Sequence, residues 1–278
     1  MLSRTHRKYL QNVLIGAAAA VFLGARIVPG TDEAGPVTAA ARAFVTGSVR
    51  ADSSGSISAT TRTTSRALVS QVHAAVAALA SSVKPLSTPT ALEAAFGSYF
   101  AYRAAHPDEV KKPYLYFVDY GLPSTTARGY LFDMRALKLI DGPFTVAHGR
   151  GSSTSQYGVP THFSNVSGSE ATSLGLYVAE GTYAFHGKSG GHPYSSIGLK
   201  LMGVSEGYND NALARRVVAH GAPYVTPTKA GRSEGCPAME QSRARVLLPK
   251  LANGGMVFLF APDDSWLAGD PWVVAGDV

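Results

Sequence analysis

The hydrophobic period of the chain changes at Pro113, and this change constrains the fold more than any other feature. From there to Pro262, short apolar segments with strand-like patterning alternate with connections rich in Gly, Pro and Asp-Gly. The segments are PYLYFVDYG, GYLFDMRALKLIDG, PFTVAHG, GLYVAEGTYAFHG, IGLKLMG, RRVVAHGAPYV and GGMVFLFAP. Short strands with little helix between them indicate an all-β sandwich or barrel. The sequence therefore predicts a mainly β domain over residues 111–262.

Two helical segments precede these strands. ALVSQVHAAVAALASSV and TALEAAFGSYFAYRAAH have apolar residues at helical spacing, which predicts a helical N-terminal region over residues 67–110. Inside the β domain, the segment AMEQSRARVLLPKLA has the pattern of a helix that is interrupted or kinked at Pro249. Residues 263–278 are interpreted as a C-terminal tail.

The N-terminal segment, residues 1–28, has the layout of an export signal. Arg4, Arg7 and Lys8 precede the apolar run VLIGAAAAVFL, which is short for a permanent membrane span. We interpret the segment as a signal peptide or, if it is not cleaved, as an anchor in contact with the membrane. Residues 29–66 are rich in Ser, Thr, Ala and Gly and are predicted to be a flexible linker. These features predict an exported protein of the periplasm or cell envelope.

The composition bounds the class of protein and its partners. The chain has 278 residues, of which 45% are hydrophobic, so it can bury a core in one or two domains. Its formal charge is +6, but Arg4, Arg7 and Lys8 at the extreme N-terminus account for three of these charges, and the remaining charge of about +3 does not indicate nucleic acid. No arginine-rich run, aromatic RNA-binding signature or zinc-finger pattern is present either. The sequence therefore predicts no nucleic-acid partner.

Cys236 is the only cysteine of the chain, which excludes an intramolecular disulfide framework. His220 lies sixteen residues upstream, after a β-branched run, and Gly231 and Gly235 lie in the loop between them. If a helix begins just after Pro237, its positive pole would favour the thiolate. The pattern predicts a cysteine nucleophile with a histidine base, and an inert buried cysteine is the alternative.

The residues around the cysteine resemble a known family. His220-Gly221 and the sequence SEGC, Ser233 to Cys236, resemble the HG and SxGC motifs of YkuD-type L,D-transpeptidases, enzymes that cross-link bacterial peptidoglycan. AHGRGS, HFSNVSGSEATSLGLY, YNDNALARRVVAHGAPYV and GRSEGCPAM are similar to the YkuD-related murein L,D-transpeptidase catalytic domain family and follow in the same order. The resemblance covers residues 113–262, over half the chain, and implies an L,D-transpeptidase-like β fold with a few helices.

The resemblance also implies a mechanism that needs no cofactor. Cys236 would attack a carbonyl of a donor peptidoglycan stem peptide, and the thioester would pass its acyl group to an amine of an acceptor stem. His220 would act as general base and then acid, oriented by the carbonyl of Gly221. Backbone donors of Gly235 and Cys236 would form the oxyanion hole. Inhibition by carbapenems is a further expectation.

Other candidate site residues lie on nearby glycine-rich segments. The residues predicted to contact substrate are Ser233, Arg232, His186, Tyr183 and His148. The chain departs from the family pattern at two positions. Ala238 occupies the place of an arginine two residues after the cysteine, with Arg232 as a candidate substitute. Glu234 occupies the place of a histidine, and its carboxylate would raise the pKa of the thiol.

Three alternatives remain open at this point. Water as the acceptor would make the protein an L,D-carboxypeptidase, and a degenerate site would make it a non-catalytic peptidoglycan-binding module. Four histidines of the β domain could instead bind zinc, although no HExxH pattern or nearby carboxylate supports this and the prediction is no metal. These histidines are His148, His186, His192 and His220.

Overall fold

The computed structural model describes residues 59–277, with side chains from residue 65 onward. The predicted signal or anchor and most of the predicted linker lie outside the described residues. No helix within residues 59–277 combines the length and apolarity that crossing a membrane requires.

The predicted N-terminal helices are present. Helix α1 (Ala59–Leu79) begins inside the segment interpreted as linker, and helix α2 (Ala91–Ala105) follows a proline-containing connection. Helix α1 buries Leu68, Val72 and Leu79, which share one face at helical spacing. Because this face needs a partner, the helix packs on the rest of the domain rather than standing apart from it.

The strands confirm a mainly β fold with a preceding helical region. The strands are β1 (Tyr114–Asp119), β2 (Gly129–Asp133), β3 (Lys138–Phe144), β4 (His148–Gly149), β5 (Gly175–Ser189), β6 (His192–Gly203), β7 (Val218–Ala222), β8 (Val225–Thr226), β9 (Lys229–Ala230), β10 (Arg232–Ser233), β11 (Ala238–Glu240) and β12 (Met256–Phe260). Eight of them form one mixed sheet in the order β11-β7-β6-β5-β12-β1-β2-β3, and β4–β10 and β8–β9 form two small pairs.

One hydrophobic core joins the large sheet to the helices that precede β1 and to the helices that follow β12. Phe96 of α2 meets Phe132 of β2 edge to face at 5.4 Å between ring centroids. After β12 the chain forms helices α4 (Asp264–Gly269) and α5 (Pro271–Gly276), within the segment interpreted as a tail. Trp272 is 1% exposed and its indole N–H donates to the Val204 carbonyl at 2.7 Å. The C-terminal residues described therefore contribute to the core.

The segment after Cys236 differs from the predicted helix. Ala238–Glu240 form β11, and helix α3 (Gln241–Leu251) begins only afterwards and continues past Pro249. The reason is tertiary pairing, since β11 adds to the edge of the large sheet beside β7 and buries Ala238 completely. Cys236 therefore does not lie at the N-terminal end of a helix, and the predicted helix pole does not act on its thiol.

Candidate active site

Strands β7 and β11 bring the predicted histidine and cysteine into neighbouring positions. The strands pair in parallel, with Ala238 opposite His220, and the His220 N–H donates to the Pro237 carbonyl at 3.4 Å. The chain between them turns back through the hairpin of β8 and β9. Cys236 therefore lies two residues from the position opposite His220, although sixteen residues separate the two in sequence.

The imidazole of His220 is held in a defined orientation. The residue is 3% exposed, its ring stacks on Phe185 at 4.1 Å between centroids, and Nδ1 lies 3.1 Å from the Gly221 carbonyl oxygen. A carbonyl only accepts, so Nδ1 carries the proton and Nε2 is left with its lone pair. Burial lowers the pKa of His220 to about 4, against a smaller opposing effect of the Gly221 carbonyl. The ring is thus a neutral proton acceptor at physiological pH.

Gly221 has a packing reason to be glycine, in addition to its carbonyl. A Cβ at this position would lie 2.4 Å from Ser196 Oγ and 2.9 Å from both Ala244 Cβ and Gln241 Cα. Helix α3 therefore packs directly on the backbone of β7. This close approach fixes the strand that carries His220.

Replacement of Gly221 by alanine is expected to lower the free energy of unfolding by about 1–3 kcal/mol, because the methyl group overpacks the contact with helix α3. Urea denaturation of the purified variant measures this. Gly181→Ala is the matched control, since its nearest neighbouring atom would lie 3.9 Å away. Equal stabilities of the two variants would contradict the packing argument.

The loop before the cysteine is built around Ser233. Its hydroxyl donates to the Cys236 carbonyl at 2.7 Å and accepts the N–H of Gly235 at 3.2 Å. Gly235 has φ +113°, a conformation that favours glycine, and its Cα would lie 2.8 Å from a Cβ at Gly149. Ser233 is 6% exposed, so the structure gives it a role in shaping the loop rather than an open surface for substrate.

The two predicted oxyanion donors differ in whether their backbone N–H is already hydrogen-bonded. The Gly235 N–H is already bonded to Ser233, whereas the Cys236 N–H has no hydrogen-bond partner among the residues that the structure describes. A free backbone N–H beside a nucleophile is the type of donor that an oxyanion hole needs. The geometry therefore favours Cys236 over Gly235 for this role.

Cys236 is partly exposed as a residue, but its sulfur is turned inward and lies 3.9 Å from the Arg216 carbonyl oxygen. The pKa of the Cys236 thiol is raised to about 11, and burial of the sulfur is the largest cause. The Glu234 carboxylate also raises this pKa. The Val218 N–H and the charge of Arg215 lower it, but by less than burial raises it. The predicted effect of Glu234 is therefore confirmed in direction. The expectation that a helix pole favours the thiolate is wrong, because the chain after Pro237 forms β11 and the helix begins only at Gln241.

Alkylation of Cys236 by iodoacetamide is expected to accelerate about tenfold per pH unit from about pH 7 to pH 9, with no plateau. Only the thiolate reacts, and a pKa of about 11 keeps it a minor species over this range. Mass spectrometry of timed samples gives the rates, with free cysteine as the reference compound. A plateau below about pH 8 would contradict the raised pKa.

Two of the predicted substrate contacts, His148 and Arg232, form hydrogen bonds with other residues of the protein. His148 is completely buried, its Nδ1 lies 3.0 Å from Arg128 Nη2, and burial lowers its pKa to about 3. The guanidinium of Arg232 donates to the Ser153 carbonyl at 2.9 Å. His148 is therefore enclosed within the protein, and its side chain is not available at the surface for a ligand.

The long hairpin of β5 and β6 divides the remaining candidates between its two faces. Phe185 stacks on His220, and Tyr183 lies on the same face because side chains two apart in a strand point the same way. His186 comes directly after Phe185 and therefore points to the opposite face, where it is exposed and meets Ser195 Oγ at 3.0 Å. Tyr183 adjoins the site, whereas the prediction for His186 is not supported by this geometry.

The sequence reasoning missed two members of an aromatic wall beside the site, Phe185 and Tyr224. Phe185 lies 6.1 Å from Tyr194, which lies 6.4 Å from Tyr224, measured between ring centroids. The two-residue period of GTYAFHG was a usable signal, since it places Tyr183 and Phe185 together. The four histidines proposed as a zinc alternative do not come together, and within residues 59–277 no group of three or more potential ligands is placed to hold a metal ion.

A cysteine thiol, a neutral imidazole on the adjacent strand and a free backbone N–H are the groups that acyl transfer through a cysteine requires. The site therefore has the parts of a cysteine acyltransferase. The sequence model of the L,D-transpeptidase catalytic domain family matches residues 84–260. The chain belongs to this family, and the predicted family is confirmed.

Solved structures give a weaker likeness to the same family. The chain is 12% identical to an L,D-transpeptidase from Mycobacterium smegmatis, with 54% of this chain and 59% of that chain covered at a TM-score of 0.33. It is 18% identical to an L,D-transpeptidase from Stackebrandtia nassauensis, with 59% and 65% covered at a TM-score of 0.31. The chain thus spans less than two thirds of these structures, and no curated sequence matches it.

Proposed function

We propose that the protein is an exported L,D-transpeptidase that acts on peptidoglycan stem peptides with Cys236 as its nucleophile and His220 as its base. The observation that carries the proposal is the parallel pairing of β7 with β11, in which Ala238 lies opposite His220 and Cys236 precedes Ala238 by two residues. The hydrogen bond from His220 Nδ1 to the Gly221 carbonyl supports it, because it leaves Nε2 as the atom that can accept a proton.

The first half of the reaction forms a thioester. Cys236 Sγ attacks the carbonyl carbon of the L,D-peptide bond while its proton passes to His220 Nε2. The carbonyl oxygen becomes an oxyanion beside the Cys236 N–H. When the tetrahedral intermediate collapses, the carbon–nitrogen bond breaks and His220 returns the proton to the departing amine of the terminal D-alanine.

The second half transfers the acyl group. An uncharged amine of an acceptor stem attacks the thioester carbon and loses a proton to His220. The carbon–sulfur bond then breaks, and the sulfur takes the proton from His220 as the thiol re-forms. Both residues start and finish neutral, in agreement with the raised pKa of Cys236 and the lowered pKa of His220.

Two further parts of the proposal concern location and inhibition. Export to the periplasm or cell envelope, with an N-terminal membrane contact if the signal is retained, is supported by the pattern of residues 1–28. Inhibition by carbapenems is supported by the chemistry, since a strained β-lactam carbonyl is an acyl donor for the same thiol. One solved L,D-transpeptidase, of 12% identity, is in complex with imipenem.

Incubation of the purified full-length protein with disaccharide-tetrapeptide tests the function, with mass spectrometry of the products and the heat-inactivated protein as control. Cross-linked dimers together with free D-alanine are the expected result. Tripeptide and D-alanine without dimers would replace the proposal with an L,D-carboxypeptidase. Unchanged tetrapeptide that nevertheless binds the protein would favour a non-catalytic binding module.

A further inference from the structure

A positive charge without a carboxylate partner lies close to the cysteine loop. The guanidinium of Arg215 donates through Nη1 to the Ser164 carbonyl at 2.7 Å and through Nη2 to the Ala171 carbonyl at 2.7 Å. It also meets the hydroxyls of Ser173 at 3.1 Å and Ser169 at 3.2 Å. None of the ion pairs within the described residues involves Arg215, so its partners are neutral and its charge is not cancelled.

This guanidinium adjoins the residue that precedes the cysteine. A Cβ built on Gly235 would lie 2.9 Å from the Ala171 carbonyl oxygen and 3.6 Å from Arg215 Nη2. The segment 164–173 and the cysteine loop therefore meet at Gly235, and Arg215 holds the segment in that position. The charge of Arg215 lowers the pKa of the Cys236 thiol.

The other candidate arginines are placed less well. Ala238, at the position where the family carries an arginine, is completely buried beneath neighbouring strands. Arg232, the substitute suggested by the sequence, donates to the carbonyls of Ser153 and Thr154 at 2.9 and 3.4 Å. Arg215 Nη2, by contrast, lies 3.6 Å from a Cβ built on Gly235, the residue directly before Cys236.

We propose that Arg215 is the positioning residue of the nucleophile: its guanidinium fixes segment 164–173 against Gly235 and directs an uncancelled positive charge at Cys236. The inference rests on the proposed function in treating Cys236 as the nucleophile. The charge favours sulfur in its anionic form, which develops each time the thioester carbon–sulfur bond breaks.

The other groups around the thiol leave this charge effective. The ionisable side chains that face Cys236 from the surrounding elements are Tyr120, Tyr177, Tyr183, Tyr194, Tyr224, Glu234 and His220. Burial raises the pKa of each of these tyrosines, and His220 is neutral above about pH 4, so none of them is charged near pH 8. Only Glu234 opposes Arg215, and its exposed carboxylate is screened by solvent.

The reactivity of the thiol toward two reagents of different charge tests the proposal in the full-length protein. Arg215→Gln is expected to slow alkylation by neutral iodoacetamide about 3- to 10-fold at pH 8, because the thiolate fraction falls. Alkylation by anionic iodoacetate should slow further, so the ratio of the two rates falls as well. Arg215→Lys should largely restore the ratio, and Arg245→Gln, which removes an exposed charge on helix α3, should leave both rates unchanged.

A merely structural role would give a different result. If Arg215 only held the loop, Arg215→Gln would loosen the segment and change the two rates by the same factor, which would overturn the proposal. In the wild-type protein, raising the salt concentration should lower the iodoacetate-to-iodoacetamide ratio, and a constant ratio would overturn it without any variant. These rates do not depend on peptidoglycan, so failure of the transpeptidase assay would leave this inference separately testable.

Discussion

Replacement of Cys236 by alanine is expected to abolish cross-linking of disaccharide-tetrapeptide, with a loss on the order of 10⁴-fold or more. Alanine has no lone pair to attack the peptide carbonyl, so neither the thioester nor any product derived from it can form. The sulfur makes only weak contacts, with the Arg216 carbonyl at 3.9 Å and with the Val218 N–H, and the loop is held by Ser233 rather than by the thiol. The variant should therefore fold, and product formation and the mass of the trapped acyl-enzyme are the measurements.

Cys236→Ser is the matched control for the shape of the site. Serine places a hydroxyl at the position of the thiol and is a weaker nucleophile, so this variant should also fail to form an acyl-enzyme. Its thermal unfolding midpoint should equal that of the wild-type protein. The same two variants should show no mass increase with a carbapenem, whereas the wild-type protein gains the mass of the drug. Cross-linking by the alanine variant at the wild-type rate would show that the nucleophile is another residue.

The strands were predictable because each has a local signature. Alternating or continuous apolar runs bounded by Gly and Pro predicted β1, β5, β7 and β12, because the burial of a strand follows from the order of its own consecutive residues. The residue types Cys236 and His220 could be predicted as a nucleophile and its base, but their approach in space could not be predicted. That approach depends on β11 pairing with β7, a contact between segments sixteen residues apart that also turned a helical pattern into a strand.

Three of the predicted substrate contacts have surroundings that the sequence does not reveal. His148, His186 and Arg232 have the right chemistry for a ligand, but the sequence does not give burial or the partners of a side chain. His186 could have been excluded by strand alternation, once Phe185 was placed toward the site. Arg215 could not have been predicted, because its effect on the cysteine depends on carbonyls 44 and 51 residues away that fold back onto it.

Replacement of His220 by glutamine is expected to slow acylation of Cys236 by about 10²- to 10⁴-fold, because the proton of the thiol loses its acceptor. Glutamine can still donate to the Gly221 carbonyl, so the local hydrogen bond at 3.1 Å has a substitute and the fold should be retained. The rate of carbapenem acylation, followed by mass spectrometry, measures the effect. His192→Gln, an exposed histidine at the start of β6, is the control and should react at the wild-type rate.

The pH dependence separates loss of the base from loss of packing. His220 acts as a base only when neutral, so as the pH falls through its pKa of about 4 the wild-type acylation rate should fall, and above that value it should be retained. His220→Gln removes this titration, so its residual rate should show no inflection near pH 4. An inflection that persists in the variant, or a variant that acylates at the wild-type rate, would assign the proton transfer to a group other than His220.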